Sequence, residues 1–121
     1  MEKLTPNEEE AMQAVWSSGG GIIKSFLDAL DEPKPPYTTL ASTVKNLEKK
    51  GFVKGEKVGN TIHYRPLINE TEYKKRFMGE FVNDYFRNSY KELVSFFADQ
   101  QKISAKELKE IIRMIEKGEE K

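Results

Sequence analysis

Apolar residues recur along this chain with a helical period, interrupted once by a stretch that alternates. Met12, Val15 and Trp16 fall on one face of a first helix that starts at Thr5-Pro6-Asn7-Glu8. Thr5 can cap it, Pro6 suits its first position, and Glu8 completes a capping box. Ser17-Ser18-Gly19-Gly20-Gly21 ends it. Ile23, Phe26, Leu27 and Leu30 then follow at spacings of 3, 4 and 7 from the first, which predicts a second helix. Three prolines between Asp31 and Pro36 impose a turn or short rigid linker that sets how the next helix is aimed.

A third helix is predicted from about Tyr37 to Lys50, with Leu40, Val44 and Leu47 as its buried stripe. Gly51 stops it, and Phe52 and Val53 start a strand. Gly59-Asn60 is expected to supply the positive-φ residues of a tight hairpin. In the return strand Ile62 and Tyr64 share one face, and Thr61, His63 and Arg65 share the other. Helices followed at once by a small antiparallel hairpin form a winged helix-turn-helix. Such a unit presents one helix to a DNA groove and the hairpin, or wing, to the flanking backbone.

Beyond Pro66 the pattern is helical throughout. Asn69-Glu70-Thr71-Glu72 opens a long helix carrying Tyr73, Phe77, Met78, Phe81, Val82, Tyr85 and Phe86. Ser89-Tyr90-Lys91-Glu92 and Ser104-Ala105-Lys106-Glu107 read as further capping boxes. The first precedes Leu93, Val94, Phe96 and Phe97, and the second precedes Leu108, Ile111, Ile112 and Ile115. Glu119-Glu120-Lys121 reads as a frayed tail. The expected fold is therefore mainly α: a winged-helix DNA-binding domain over residues 1–66 and a three-helix dimerisation region over residues 67–121. Three amphipathic helices with this much aromatic surface need a partner, and a second copy of the chain is the favoured one. The expected interface is Tyr73, Phe77, Phe81, Tyr85, Leu93, Phe97, Leu108, Ile111, Ile112 and Ile115.

Composition removes most other functions. The 121 residues contain no cysteine, which excludes disulfides, thiolate metal sites and a catalytic thiol. One histidine, His63, gives no basis for a histidine-rich metal site or a histidine-dependent triad, so neither an enzyme nor a cofactor is expected. No run approaches the roughly eighteen apolar residues of a membrane span, and the N-terminus carries no signal-peptide core. A cytoplasmic protein without membrane insertion is the expectation.

Formal net charge is zero, but it is unevenly spread. Residues 1–36 hold three lysines against seven carboxylates. Residues 37–66 hold six cations (Lys45, Lys49, Lys50, Lys54, Lys57 and Arg65) against Glu48 and Glu56. The basic excess falls on the helix-plus-hairpin segment, where phosphate contacts would be made. Hydroxyls, amides and lysines reach phosphates and base edges. Thr38, Thr39, Ser42, Lys45, Asn46 and Lys49 are accordingly the candidate DNA contacts on the helix, with Lys57, Asn60 and Thr61 on the wing. Thr43 either joins them or packs inward beside Leu47. His63 reads as an exposed strand residue and Trp16 as core.

Three segments carry a resemblance. They are Val15-Trp16; Thr38-Thr39-Leu40-x-Ser42-Thr43-Val44-x-Asn46-Leu47-x-Lys49-Lys50-Gly51-Phe52-Val53; and Gly59-x-x-Ile62-x-Tyr64-x-Pro66. Together they resemble the penicillinase repressor family (the BlaI/MecI group), and the resemblance runs from about Leu4 to Ile115. It implies a homodimeric repressor of palindromic operators, acting on genes for β-lactamase or low-affinity penicillin-binding proteins. It also implies relief of repression by a membrane sensor-protease that triggers cleavage in the dimerisation region. Family members often carry arginine where Asn46 stands and another in the wing near Asn60, and their Asn-Phe cleavage step aligns with Phe96-Phe97. Two other readings stay open on the residues: a winged-helix module that binds proteins, and a repressor holding a small apolar effector among Phe77, Phe81, Tyr85 and Phe97.

Overall fold

The structure is a computed structural model that describes residues 2–119, so Glu120 and Lys121 of the expected frayed tail lie outside the described residues. In chain order the elements are α1 (Pro6–Ser18), α2 (Ile23–Ala29), α3 (Tyr37–Lys49), β1 (Val53–Val58), β2 (Thr61–Pro66), α4 (Glu70–Phe86), α5 (Tyr90–Asp99) and α6 (Ala105–Glu119). The architecture is mainly helical with one small antiparallel hairpin, as the periodicity predicts. Two compact units divide after Lys74.

Local chemistry explains the boundaries of the first unit. The Glu8 amide donates to Thr5 Oγ1 (3.2 Å) and the Thr5 amide donates to Glu8 Oε1 (2.8 Å), which closes the capping box of α1. Gly19 then turns the chain out of the helix at φ 71°, a conformation glycine adopts without steric cost. Helix α2 has no side-chain cap at its start. Its C-terminal carbonyls are met by Lys34, whose ammonium donates to the Leu27, Asp28 and Leu30 oxygens. That lysine draws the proline linker back beneath α2 and so sets the entry of α3.

Met12, Val15, Phe26, Leu40, Val44, Leu47, Phe52 and Val53 form the core of this unit, with Tyr64 closing it from the wing. Trp16 packs at its edge, and its indole N–H donates to the Ile68 carbonyl (2.8 Å). Tyr73 follows the same path. Its ring lies 5.4 Å from that of Trp16 and 5.9 Å from that of Phe52, and its hydroxyl is 3.1 Å from Glu9 Oε1. The chain just beyond Pro66 therefore stays with the winged helix. Tyr73, expected at an interface between copies, packs on this core instead.

In the hairpin, Val53 pairs with Pro66 and each later rung follows in register to Val58↔Thr61. Gly59 alone of the two turn residues has positive φ (62°). The expectation that Asn60 would share that conformation is corrected: glycine at the first central position gives the II′ pattern of signs, which also suits strand twist.

In the second unit Val82 is fully buried and Leu93 nearly so. Ring contacts run from Phe77 to Phe81, from Phe81 to Tyr85 and Phe86, and on through Phe86 to Phe96 and Phe97, with centroids 4.9–6.5 Å apart. The Ser104 box closes fully. Ser89 accepts from the Glu92 amide, but its own amide donates to the Phe86 carbonyl, so that predicted box is only half formed. Along α6 Ile111, Ile112 and Ile115 are exposed, while Leu108 is half-buried. Among the described residues no helix is long and apolar enough to cross a membrane.

Candidate nucleic-acid interface

Helix α3 commits one face to the core and leaves the opposite face free. Leu40, Val44 and Leu47 are buried. At 100° per residue, Thr38, Ser42, Lys45 and Lys49 fall in one stripe diametrically opposite them. All four are exposed, as are Thr39 and Asn46 on an adjoining flank. Thr43 is half-buried and donates from its hydroxyl to the Thr39 carbonyl (3.0 Å), so its polar group is satisfied within the helix.

The register sorts the wing residues by face. Val53, Gly55, Lys57, Ile62, Tyr64 and Pro66 share the side that rests on the core, and Lys57 and Ile62 extend past it towards the tip. Lys54, Glu56, Val58, Thr61, His63 and Arg65 share the outer side. Lys57, Asn60 and Thr61 are all exposed, and Thr61 donates from its hydroxyl to the Val58 carbonyl (3.1 Å). Lys54 and Arg65 are direct cross-strand partners. Like charges in that position destabilise a hairpin, and neither has an ion pair among the described residues. Both belong to the charge excess of residues 37–66 but not to the contacts expected from the sequence. Counting rungs back from the Gly59-Asn60 turn would have found them opposite each other.

Electrostatics trims the basic excess. Lys50 lies 2.6 Å from Glu8 Oε1 and is thereby neutralised by the acidic N-terminal segment. Five cations (Lys45, Lys49, Lys54, Lys57 and Arg65) remain against Glu48 and Glu56, still a positive surface. Burial of the Glu8 carboxyl works to raise its pKa, but the hydrogen bonds from Lys50 and Thr5 and the lysine's charge outweigh it and leave it below its ordinary value. Between α3 and the wing, burial pushes the Tyr64 phenol up, with the nearby Glu48 carboxylate and Tyr37 adding to the effect. No group of three or more His, Asp or Glu side chains suited to a metal ion occurs among the described residues.

What this surface can do is bind a polyanion over two elements at once. A polar, lysine-bearing helix face can enter a groove while a basic hairpin meets the backbone beside it.

Comparison with known proteins gives a consistent result. A family model described as "Penicillinase repressor" matches residues 4–117. The methicillin resistance regulatory protein MecI of Staphylococcus aureus (strain N315) is 25% identical over 120 residues, covering 95% of this chain and 94% of that protein. The penicillinase repressor of Bacillus licheniformis is 22% identical over 115 residues, covering 94% and 90%. An uncharacterized 16.5 kDa protein of Latilactobacillus sakei is 35% identical over 72 residues, or 58% of this chain and 49% of that one.

Proposed function

The chain belongs to the penicillinase repressor family, whose members are transcriptional regulators and not enzymes, and from that premise we propose that it represses transcription as a homodimer on palindromic operators. One observation carries the proposal. The face of α3 opposite the core is wholly exposed, polar and lysine-bearing, and the basic wing follows it directly in the chain. A protein-binding module would have no need of cations on both elements, whereas a duplex has phosphates for both. In this reading Thr38, Thr39, Ser42, Lys45, Asn46 and Lys49 enter the groove, and Lys57, Asn60 and Thr61 meet the flanking strand.

The second copy is held by the helices that follow. Phe77, Phe97, Ile111, Ile112 and Ile115 leave 41%, 39%, 44%, 51% and 57% of their surface open within a single chain, so all three helices present apolar side chains to solvent. A two-fold dimer would cover it and would match a palindromic site half for half. The regulated genes in this reading are β-lactam resistance genes, as the names of the relatives suggest.

Relief of repression through a membrane sensor-protease belongs to the same proposal. The aligned step, Phe96-Phe97, lies inside α5. Cleavage there requires α5 to open locally, because a protease needs extended backbone. Footprinting on the chain's own promoter tests the core of the reading: two protected half-sites related by symmetry support it, and absence of protection contradicts it.

A further inference from the structure

One rung of the wing is gripped from both edges. On the β2 side the Tyr64 amide donates to the Gly21 carbonyl (2.8 Å), and the Gly21 amide donates to the Tyr64 carbonyl (2.9 Å). Tyr64 thus turns both backbone groups away from β1. Its partner Gly55 stands at a non-hydrogen-bonded rung, with its own amide facing out from the free edge of β1. There the Gly55 amide donates to Glu48 Oε2 at 2.8 Å. The loop after α1 therefore holds one edge of the rung, and α3 holds the other.

Glycine at one contact, Gly55, and beside the other, at Gly20, is what lets the grip close. A Cβ on Gly55 would stand 2.8 Å from Tyr64 Cε1 and 3.2 Å from Glu48 Oε2. A Cβ on Gly20 would stand 2.7 Å from the Tyr64 carbonyl oxygen. Past this rung every residue from Glu56 to His63 is exposed, so the tip is a lever arm whose root is fixed at Gly55 and Tyr64.

Glu48 is out of place for any other purpose. It puts a carboxylate on the flank of α3 between the buried stripe and the stripe that carries Lys45 and Lys49, and it makes no ion pair with either lysine. Its flank of the helix faces the wing, and its oxygen is spent on the wing backbone.

We propose that Glu48 is the positioning residue of the wing: by holding the Gly55 amide to α3 it sets the spacing at which Lys57, Asn60 and Thr61 reach the duplex that α3 occupies. This rests on the DNA-binding reading above. Glutamine keeps an acceptor for the amide and sheds the charge, whereas alanine sheds both. The two variants therefore separate position from electrostatics.

The test compares full-length wild type, Glu48→Ala and Glu48→Gln. Hydrogen exchange at the Gly55 amide is measured by NMR, and affinity and hydroxyl-radical footprint are measured on the promoter duplex. Glu48→Gln is expected to keep Gly55 protected, keep the footprint and bind at least as tightly as wild type, since a like charge has left the surface. Glu48→Ala is expected to exchange Gly55 about tenfold faster and to bind roughly five- to tenfold more weakly than the glutamine variant, with wing-side protection lost. Glu48 is exposed, so melting temperatures of the two variants should agree. Equal affinity and equal footprint for alanine and glutamine would overturn the proposal, as would unchanged exchange at Gly55 in the alanine variant. Wild type that shows a protected Gly55 yet binds no promoter DNA would overturn the DNA-binding reading, and this role with it.

Discussion

The Lys50 ammonium lies 2.6 Å from Glu8 Oε1 and joins the end of α3 to the first turn of α1. The same ammonium donates to the Lys3 carbonyl (2.9 Å), and the same carboxylate oxygen accepts from the Thr5 amide. Capping box and ion pair are thus one network, built on a carboxyl that is almost wholly buried. A lysine that the sequence suggests as part of a DNA-attracting surface is, in the fold, a tie between two helices.

Removing the lysine should expose that role. Lys50→Met leaves Glu8 buried without its cation and is expected to destabilise the protein by about 1–3 kcal/mol. The value falls below that for a fully buried pair because the lysine side chain keeps some solvent (22% exposed). Urea denaturation followed by circular dichroism measures it. A loss within experimental error of zero would show that the pair is only a surface contact.

The pH dependence has a definite sign. Glu8 has a folded pKa below its ordinary value of 4.5, so it contributes stability that is fully present above that value and is lost as pH falls through the lower folded pKa. Glu8→Gln should therefore be less stable than wild type at pH 7, with the gap narrowing as pH drops below about 4. Paired melts from pH 7 to pH 3 check this, and a gap that is constant with pH would remove the charge from the account.

Gly20→Ala should be among the most damaging small substitutions in the first unit. The residue sits at φ 94°, and the new Cβ would stand 2.7 Å from the Tyr64 carbonyl oxygen, which is itself held by Gly21. Strain and steric conflict together suggest a loss of about 2–4 kcal/mol. A melting temperature close to that of wild type would mean that the Gly21–Tyr64 bridge is dispensable.

Dimerisation is best tested on α6. Phe81 contacts Phe77, Tyr85 and Phe86 within its own chain, so changing it disturbs the unit itself. Ile112 is 51% exposed in the single chain. Ile112→Asp is expected to leave helix content intact and to weaken association by at least tenfold, since a charge would be buried in an apolar contact. Sedimentation over a concentration series reads the outcome, and an unchanged dimer would place the interface on another surface.

Much of this was legible in the sequence because it depends on local chemistry. Thr5, Glu8 and Ser104 announced helix starts, Leu40, Val44 and Leu47 announced the buried stripe of α3, and Gly59 announced the turn. What stayed hidden depends on partners far apart in the chain. Lys50 gave no sign that it would reach Glu8, and Tyr73 fitted an aromatic stripe as well as it fits between Trp16 and Phe52. Glu48 read as one more surface charge, because only the wing's register reveals which amide of β1 is left facing it.

The central claim, that α3 and the wing bind duplex DNA through their exposed cations, is tested most directly by the salt dependence of binding in wild type and Lys45→Ala. Fluorescence anisotropy on the promoter duplex from 50 to 300 mM salt would supply a plot of log affinity against log salt, at roughly 0.9 of slope per phosphate neutralised. The account predicts a steep negative slope for wild type. For the variant it predicts weaker binding across DNA sequences, with a slope reduced by about 0.9 per Lys45 in contact. Binding that ignores salt, or a slope that Lys45→Ala leaves unchanged, would contradict it.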